Sequence, residues 1–364
     1  MSYETRAWVS YDAITALAGK CAADRDRDGQ FPHSAFDDLR QLRLISQLPL
    51  DASDAAILFR ILAAIGRGDL SVGRIFEGHV NALFLIKLFG STGQRENYQR
   101  LAANGKIFGI WNTDMPENPV VLRGATLKGS KNFASGADGL SHAIITASTN
   151  EGARMIVVPV ANRPVDRSWW KPLGMRASGS HIVNFDGMEI DDECLLGGVN
   201  DYTKEPWFSA GALRFAAVHV GGMHAVLDAT VTHLRSAKRL SDPYQQHRLG
   251  QMAIEVDTGY AWIERAGSCW AEIATSRGAG AVTTANAARL VIENAALRVL
   301  ESAERGVGAA GLIAPHPLER LVRDLRTYLR QPNPDRALAA VGVAVSDGSW
   351  APGHPVREGK ERRG

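Results

Sequence analysis

Cysteine is scarce in this chain. Cys21, Cys194 and Cys269 are the only three in 364 residues, they lie far apart, and none forms a Cys-x-x-Cys pair. A disulfide framework and a cysteine-built zinc site are therefore not expected, and a reducing cytoplasm is the expected compartment. No apolar run approaches the roughly 20 residues that cross a bilayer. The stretch from Met1 to Ser10 is charged and lacks an apolar core, so neither a membrane span nor a secretion signal is expected. An excess of one charge is missing too. Lys and Arg number 41 against 39 Asp and Glu, a net charge of +2, which argues against nucleic acid or an anionic membrane as partner. Only the end, from Arg357 to Arg363, gathers positive charge. Internal repeats, low-complexity segments, a Ser-His-Asp pattern and metal-ligand spacings are absent, so no metal site is expected.

What is present is an ordinary globular composition, 45% hydrophobic and 22% charged, in a chain long enough for two or three modules and a large core. Helical periodicity covers 11–27, 54–67, 71–89 and 93–103. Asp28-Gly29 ends the first of these, and Ser34 is the expected N-cap of a further short helix carrying Phe36, Leu39 and Leu42. From Lys106 the pattern changes to short β-rich runs at 107–111, 120–127, 142–147, 155–160 and 181–185, separated by Gly, Asn, Asp and Pro. No helix-length period interrupts them, which favours an antiparallel barrel or sandwich over a parallel βαβ sheet. Helices return at 207–238, 243–277, 282–305 and 318–329. Asp242-Pro243 opens one of them as cap and first turn, and Gly221-Gly222 would let another helix approach closely. The expected architecture is α+β: an N-terminal helical domain over 1–105, a middle β-domain over 106–200, a C-terminal four-helix bundle over 201–345, and a flexible tail over 346–364.

Near the C-terminus a small-residue turn, Gly306 to Gly311, leads into Pro317-Leu318-Glu319-Arg320-Leu321-Val322-Arg323-Asp324-Leu325-Arg326. Leu318, Leu321, Val322 and Leu325 share one face, and Pro332 and Pro334 then stop the helix. This order resembles the final segment of the acyl-CoA dehydrogenase superfamily. Two further stretches carry the same resemblance: Lys128-Gly129-Ser130-Lys131-Asn132-Phe133-Ala134-Ser135-Gly136-Ala137, and Gly174-Met175-Arg176-Ala177-Ser178-Gly179-Ser180. The run Ser241-Asp242-Pro243-Tyr244-Gln245-Gln246-His247-Arg248 is similar to the two-component flavin monooxygenase branch of that superfamily. Likeness extends over about 11–342.

The resemblance implies a flavin, FAD by family habit with FMN possible, and a homo-oligomer whose flavin site spans subunits. It places Trp111, Thr113, Phe133 and Ser135 against the flavin ring. Arg235 or Arg239, with Gly308 and Gly311, would serve the pyrophosphate. The dehydrogenases carry a glutamate where this chain has Pro332, and proline cannot act as a base. The monooxygenases use instead a histidine, an asparagine and a serine, matched here by His79, Asn112 and Ser135; their C-terminal histidine is replaced by Gln331. His79 also lies on an apolar stripe, where a hydrogen-bonded core histidine is the ordinary expectation. The implied activity is oxygen activation on reduced flavin, acting on a small molecule and supplied by a flavin reductase. The alternatives are dehydrogenation of an acyl thioester with Asp335 as a displaced base, and a catalytically silent family member.

Overall fold

The computed structural model describes residues 10–273 and 279–353. The expected helix end near Arg277 and the part of the expected tail beyond residue 353 lie outside them. Helices come first: α1 Tyr11–Gly19, α2 Ala22–Asp28, α3 His33–Gln41, α4 Ala55–Gly68, α5 Leu70–Phe89 and α6 Thr92–Ala103. The helix expected over 11–27 is two helices, because Cys21 takes a left-handed backbone with φ 59° and breaks the ladder. Gly29 closes α2 at φ 62°, as its lack of a Cβ permits. Helix α3 begins two residues earlier than expected, after Pro32, so Ser34 sits inside the first turn rather than capping it. At α6 the Ser91 hydroxyl and the Gln94 side chain form a reciprocal capping box.

The strands follow: β1 Phe108–Trp111, β2 Val121–Arg123, β3 Thr126–Lys128, β4 Ser130–Ala134, β5 His142–Thr149, β6 Gly152–Pro159, β7 Val165–Asp166, β8 His181–Asn184, β9 Met188–Glu189 and β10 Leu195–Leu196. Seven form one sheet in the order β10-β6-β5-β2-β3-β9, with β1 also on β5; β4, β8 and β7 form a second. The run expected over 120–127 is a hairpin turning at Gly124, φ +59°. Most pairs are antiparallel, as expected, but β1 and β2 both run parallel to β5. They do so because they occupy the same edge in succession, β1 against His142 to Ile145 and β2 at Ser148. Leu85, Ile86 and Tyr98 from α5 and α6 bury against Phe108, Ile144, Val157 and Leu196 of the large sheet.

The C-terminal helices are α7 Trp207–Ala210, α8 Ala212–Ser236, α9 Pro243–Ile273, α10 Ala279–Val307, α11 Pro317–Tyr328 and α12 Pro334–Ser346. Helix α12 escaped the sequence reading, which treated the two prolines as a stop. Pro334 instead occupies the first turn of a new helix, where its missing N–H costs nothing, and an alanine-rich run carries the helix on.

Contacts divide the described chain into two units. One holds the residues up to Thr15, Pro49–Leu70 and those from Glu205 onward. In it α4 crosses α8 at backbone distance: a Cβ added at Gly221 would lie 1.9 Å from the Ala63 carbonyl oxygen, and one at Gly66 2.4 Å from that of Val218. The stretch Trp207–Ser236 is long and apolar enough to cross a membrane, yet 78% of its apolar window is buried within the protein. The other unit holds Ala16–Leu48 and Ser71–Lys204, and thus both sheets.

Candidate functional site

In the sheet-bearing unit the site starts where β1 and β4 end. The Trp111 Nε1–H donates to the Ser135 carbonyl oxygen at 3.0 Å and ties the two ends together. The β4–β8 register slips between Lys131 and Ala134, and at this bulge Phe133 takes φ +48°. A bulge turns a side chain away from the alternation of its strand. Phe133 is accordingly 49% exposed, with the edge of the Trp169 ring 4.9 Å away, centroid to centroid, and the Trp170 ring at 6.1 Å. Two residues on, Ser135 is buried, and its Oγ lies 2.8 Å from Ser180 Oγ. Ser180 in turn lies 2.8 Å from Ser178 Oγ.

Asn112 and Thr113 lead out of β1 and are exposed. The Thr113 carbonyl oxygen accepts from the Asn132 N–H at 3.0 Å, locking the segment onto β4. Asn112 is held twice. Thr146 Oγ1 donates to its Oδ1 at 2.8 Å, and Lys131 Nζ donates to its backbone carbonyl oxygen at 3.0 Å. Lys131 is wholly buried, and that burial lowers its pKa; the carboxylate of Asp114, 2.6 Å away, offsets part of the effect. Lys131 and Thr146 were not singled out from the sequence. The available signal was a lysine inside the stretch, Lys128 to Ala137, that resembles a flavin-facing strand.

His79 stands one shell further in. Its Nδ1 accepts from the Phe108 N–H at 3.1 Å, so the proton is on Nε2, which donates to the Ile45 carbonyl oxygen at 2.8 Å. Both nitrogens are spent on backbone groups and the ring has no accessible surface. Burial lowers its pKa to about 4, against the smaller opposing effect of the Ile45 bond. It holds the start of β1 and has no atom free for a ligand.

The remaining expected residues lie in the other unit. Arg235 and Arg239 are exposed near the end of α8, Arg239 reaching Asp242 at 3.3 Å. Asp242 caps α9, accepting from the Tyr244 N–H at 2.9 Å. Gly308 has φ +78°, and Gly311 is buried. Pro332 contributes its carbonyl oxygen to Arg289 at 2.8 Å, and Asp335 is exposed in the first turn of α12. Among the described residues no group of three or more His, Cys, Asp or Glu side chains could hold a metal ion.

The residues around Phe133 fit a flavin. A half-exposed aromatic face lies in the chain between buried groups with spare hydrogen-bonding capacity. Asn132 Oδ1 and Trp170 Nε1 are buried without a partner, and one hydroxyl hydrogen of the serine chain has no protein acceptor. A planar ring with an apolar face and a polar edge matches that donor and acceptor set.

Residues 201–329 match the family described as acyl-CoA dehydrogenase, C-terminal domain. The dibenzothiophene monooxygenase of Rhodococcus qingshengii is 26% identical over 275 residues, covering 65% of this chain and 66% of that protein. The match thus spans just under two thirds of that curated relative. Among solved structures, the dibenzothiophene monooxygenase of Paenibacillus sp. A11-2 in complex with FMN and indole has a TM-score of 0.83 at 18% identity, covering 94% of this chain and 97% of that one. A structure named KijD3, in complex with dTDP, is 26% identical with a TM-score of 0.72, covering 93% and 97%. Residues 201–329 thus resemble the C-terminal domain of the acyl-CoA dehydrogenases, and the chain shares the fold of these solved structures. By sequence the chain is similar to dibenzothiophene monooxygenases.

Proposed function

We propose that this protein is a cytoplasmic, flavin-dependent monooxygenase that takes reduced FMN or FAD from a separate flavin reductase and oxygenates a small molecule. The observation that carries the reading is the pairing of Phe133, half-exposed on its bulge, with the hydroxyl of Ser135 two residues on. Bound reduced flavin supplies two electrons to dioxygen, one oxygen atom going to the substrate and the other leaving as water. The chain's part is to hold the ring, orient it and keep water out. Phe133 would offer its exposed face to the ring, with Trp169 and Trp170 packed against Phe133 from the side. Ser135 would donate to the ring edge, whereas Asn112, fixed through Thr146 and Lys131, lines a separate cavity with Thr146, Asn200 and Tyr202. Fixed donors in a site closed to water stabilise developing charge without reorganising. His79 is a positioning residue that fixes β1, and with it Trp111 and Asn112.

Acyl thioester dehydrogenation lacks its usual base. Pro332 stands at the glutamate position, and Asp114, next to Asn112 and Thr113 in the chain, is spent on Lys131 Nζ and the Val120 N–H. The exposed Asp335 remains for that alternative. Arg235 or Arg239, with the Gly308–Gly311 turn, would serve a flavin pyrophosphate offered by a neighbouring copy. Leu338, Val343, Ile313 and Leu312 are exposed at 60%, 61%, 64% and 48%, apolar surface that a second copy would cover.

The test starts with FMN and FAD titrations followed by flavin fluorescence. Protein loaded with photoreduced FMN is then mixed with oxygenated buffer and indole. Indole oxygenation, with less hydrogen peroxide released than by free reduced FMN, supports the proposal; peroxide release equal to that of free flavin would count against it. Anaerobic bleaching of bound flavin by an acyl-CoA panel, lost in Asp335→Asn, would overturn it in favour of the dehydrogenase.

A further inference from the structure

We propose that Ser178, Ser180 and Ser135 form a one-way hydroxyl chain whose single spare proton is aimed at the flavin ring edge, with Ser178 and Ser180 as positioning residues for Ser135. The inference rests on the flavin reading above. Ser178 Oγ and Ser180 Oγ are 2.8 Å apart, and Ser180 Oγ and Ser135 Oγ are 2.8 Å apart. Three hydroxyls thus share two hydrogen bonds, and one hydrogen is left over. Burial decides where it goes. Ser178 is 1% exposed, Ser180 3% and Ser135 8%. Leaving the spare hydrogen on Ser178 or Ser180 would strand a donor in a dry interior, whereas a hydroxyl oxygen with an unused lone pair costs less. The donors therefore run from Ser178 to Ser180 to Ser135, and the last hydrogen leaves the chain at Ser135.

The backbone holds this order in place. The Gly136 N–H donates to the Ser178 carbonyl oxygen at 2.7 Å, joining the turn after Met175 to the end of β4. Met175 and Gly179, at φ 64° and 50°, bracket a single 3-10 turn that puts Ser178 and Ser180 on the same side as Ser135. A hydroxyl that accepts a hydrogen bond becomes a better donor. Ser135 is therefore a polarised donor with one direction available, ready for an acceptor such as the ring nitrogen N5 of oxidised flavin. The Ser178-Gly179-Ser180 spelling, which a structural turn alone does not demand, acquires a chemical reason.

The test compares binding of FMN with binding of 5-deaza-FMN, in which a C–H replaces the N5 acceptor. Ser180→Ala and Ser178→Ala should each weaken FMN by up to about two-fold, since the Ser135 hydrogen remains and only its polarisation is lost, and leave 5-deaza-FMN unchanged. Ser180→Cys, a weaker donor of similar shape, should fall between, and it carries the test if the alanine variant does not fold. Equal weakening of both ligands, or of neither, would overturn the chain. Ser135→Ala separates the two levels. If it alone shows the FMN-selective loss, the flavin site stands and the chain falls. If wild type binds neither ligand, both fall.

Discussion

The Lys131 ammonium lies 2.6 Å from the Asp114 carboxylate with no accessible surface of its own. Its remaining donors go to the Asn112 carbonyl oxygen and to Thr146 Oγ1, each at 3.0 Å. One buried charge thus holds the whole exit from β1. Lys131→Met should lower stability by on the order of 2–4 kcal/mol, since it strands a partly buried carboxylate. Pairing it with Asp114→Asn should recover part of that loss in urea unfolding, because the stranded carboxylate is then gone.

His79 makes a pH signature. Its folded pKa of about 4 lies below the usual 6.5, mainly through burial, with the Arg40 charge adding to the depression. Protons then bind the unfolded chain more readily, so the stability it contributes is complete above pH 6.5 and is lost as pH falls toward 4. Over that window the loss should reach roughly 3 kcal/mol. In urea unfolding at pH 7 and pH 4.5, His79→Asn should be weaker at pH 7 and show a flatter acid limb than wild type. An equal acid slope in both would remove His79 as its source.

The order helical, β-rich, helical was legible because period and composition both change, at Lys106 and again at Trp207. The apolar face of α11 emerged as expected, with Leu318, Leu321, Val322 and Leu325 buried. Cys21 breaking one helix into two was invisible, because a left-handed cysteine has no composition signal. Parallel pairing of β1 and β2 on one edge of β5 depends on how a loop runs, which periodicity does not record. Of the candidate site, Phe133 and Ser135 were proposed through their likeness to a known strand. The partners that fix them, Lys131, Thr146 and Ser180, are defined by distances between segments far apart in the chain. The same holds for His79: spacing put it on an apolar face, and only the bonds to Ile45 and Phe108 reveal that both its nitrogens are occupied.

The glycines of the helical unit can be told apart. A methyl at Gly221 would sit 1.9 Å from the Ala63 carbonyl oxygen, and neither backbone can move without separating α4 from α8. Gly221→Ala should cost about 3 kcal/mol or more, or prevent folding. Gly250, inside α9, has nothing within 4 Å of an added Cβ. Gly250→Ala should therefore stabilise by about 0.5–1 kcal/mol, through helix propensity alone. Thermal unfolding of the two variants side by side checks both signs.

Phe133 separates folding from function. At φ +48° it holds a left-handed backbone that costs a non-glycine residue about 1 kcal/mol. Its ring is 49% exposed and touches Trp169 only edge-on, a contact worth about 0.5–1.5 kcal/mol. Phe133→Gly relieves the first and loses the second, so unfolding free energy without ligand should stay within about 1 kcal/mol of wild type. Flavin affinity should not survive so well. If the exposed face packs on the isoalloxazine, its loss should weaken FMN on the order of ten-fold. Phe133→Tyr, which keeps the ring, should retain most of that affinity. Unaltered FMN binding by Phe133→Gly would detach the aromatic bulge from the flavin and leave its strain without a function. Comparable losses in stability and in affinity would make Phe133 a packing residue instead.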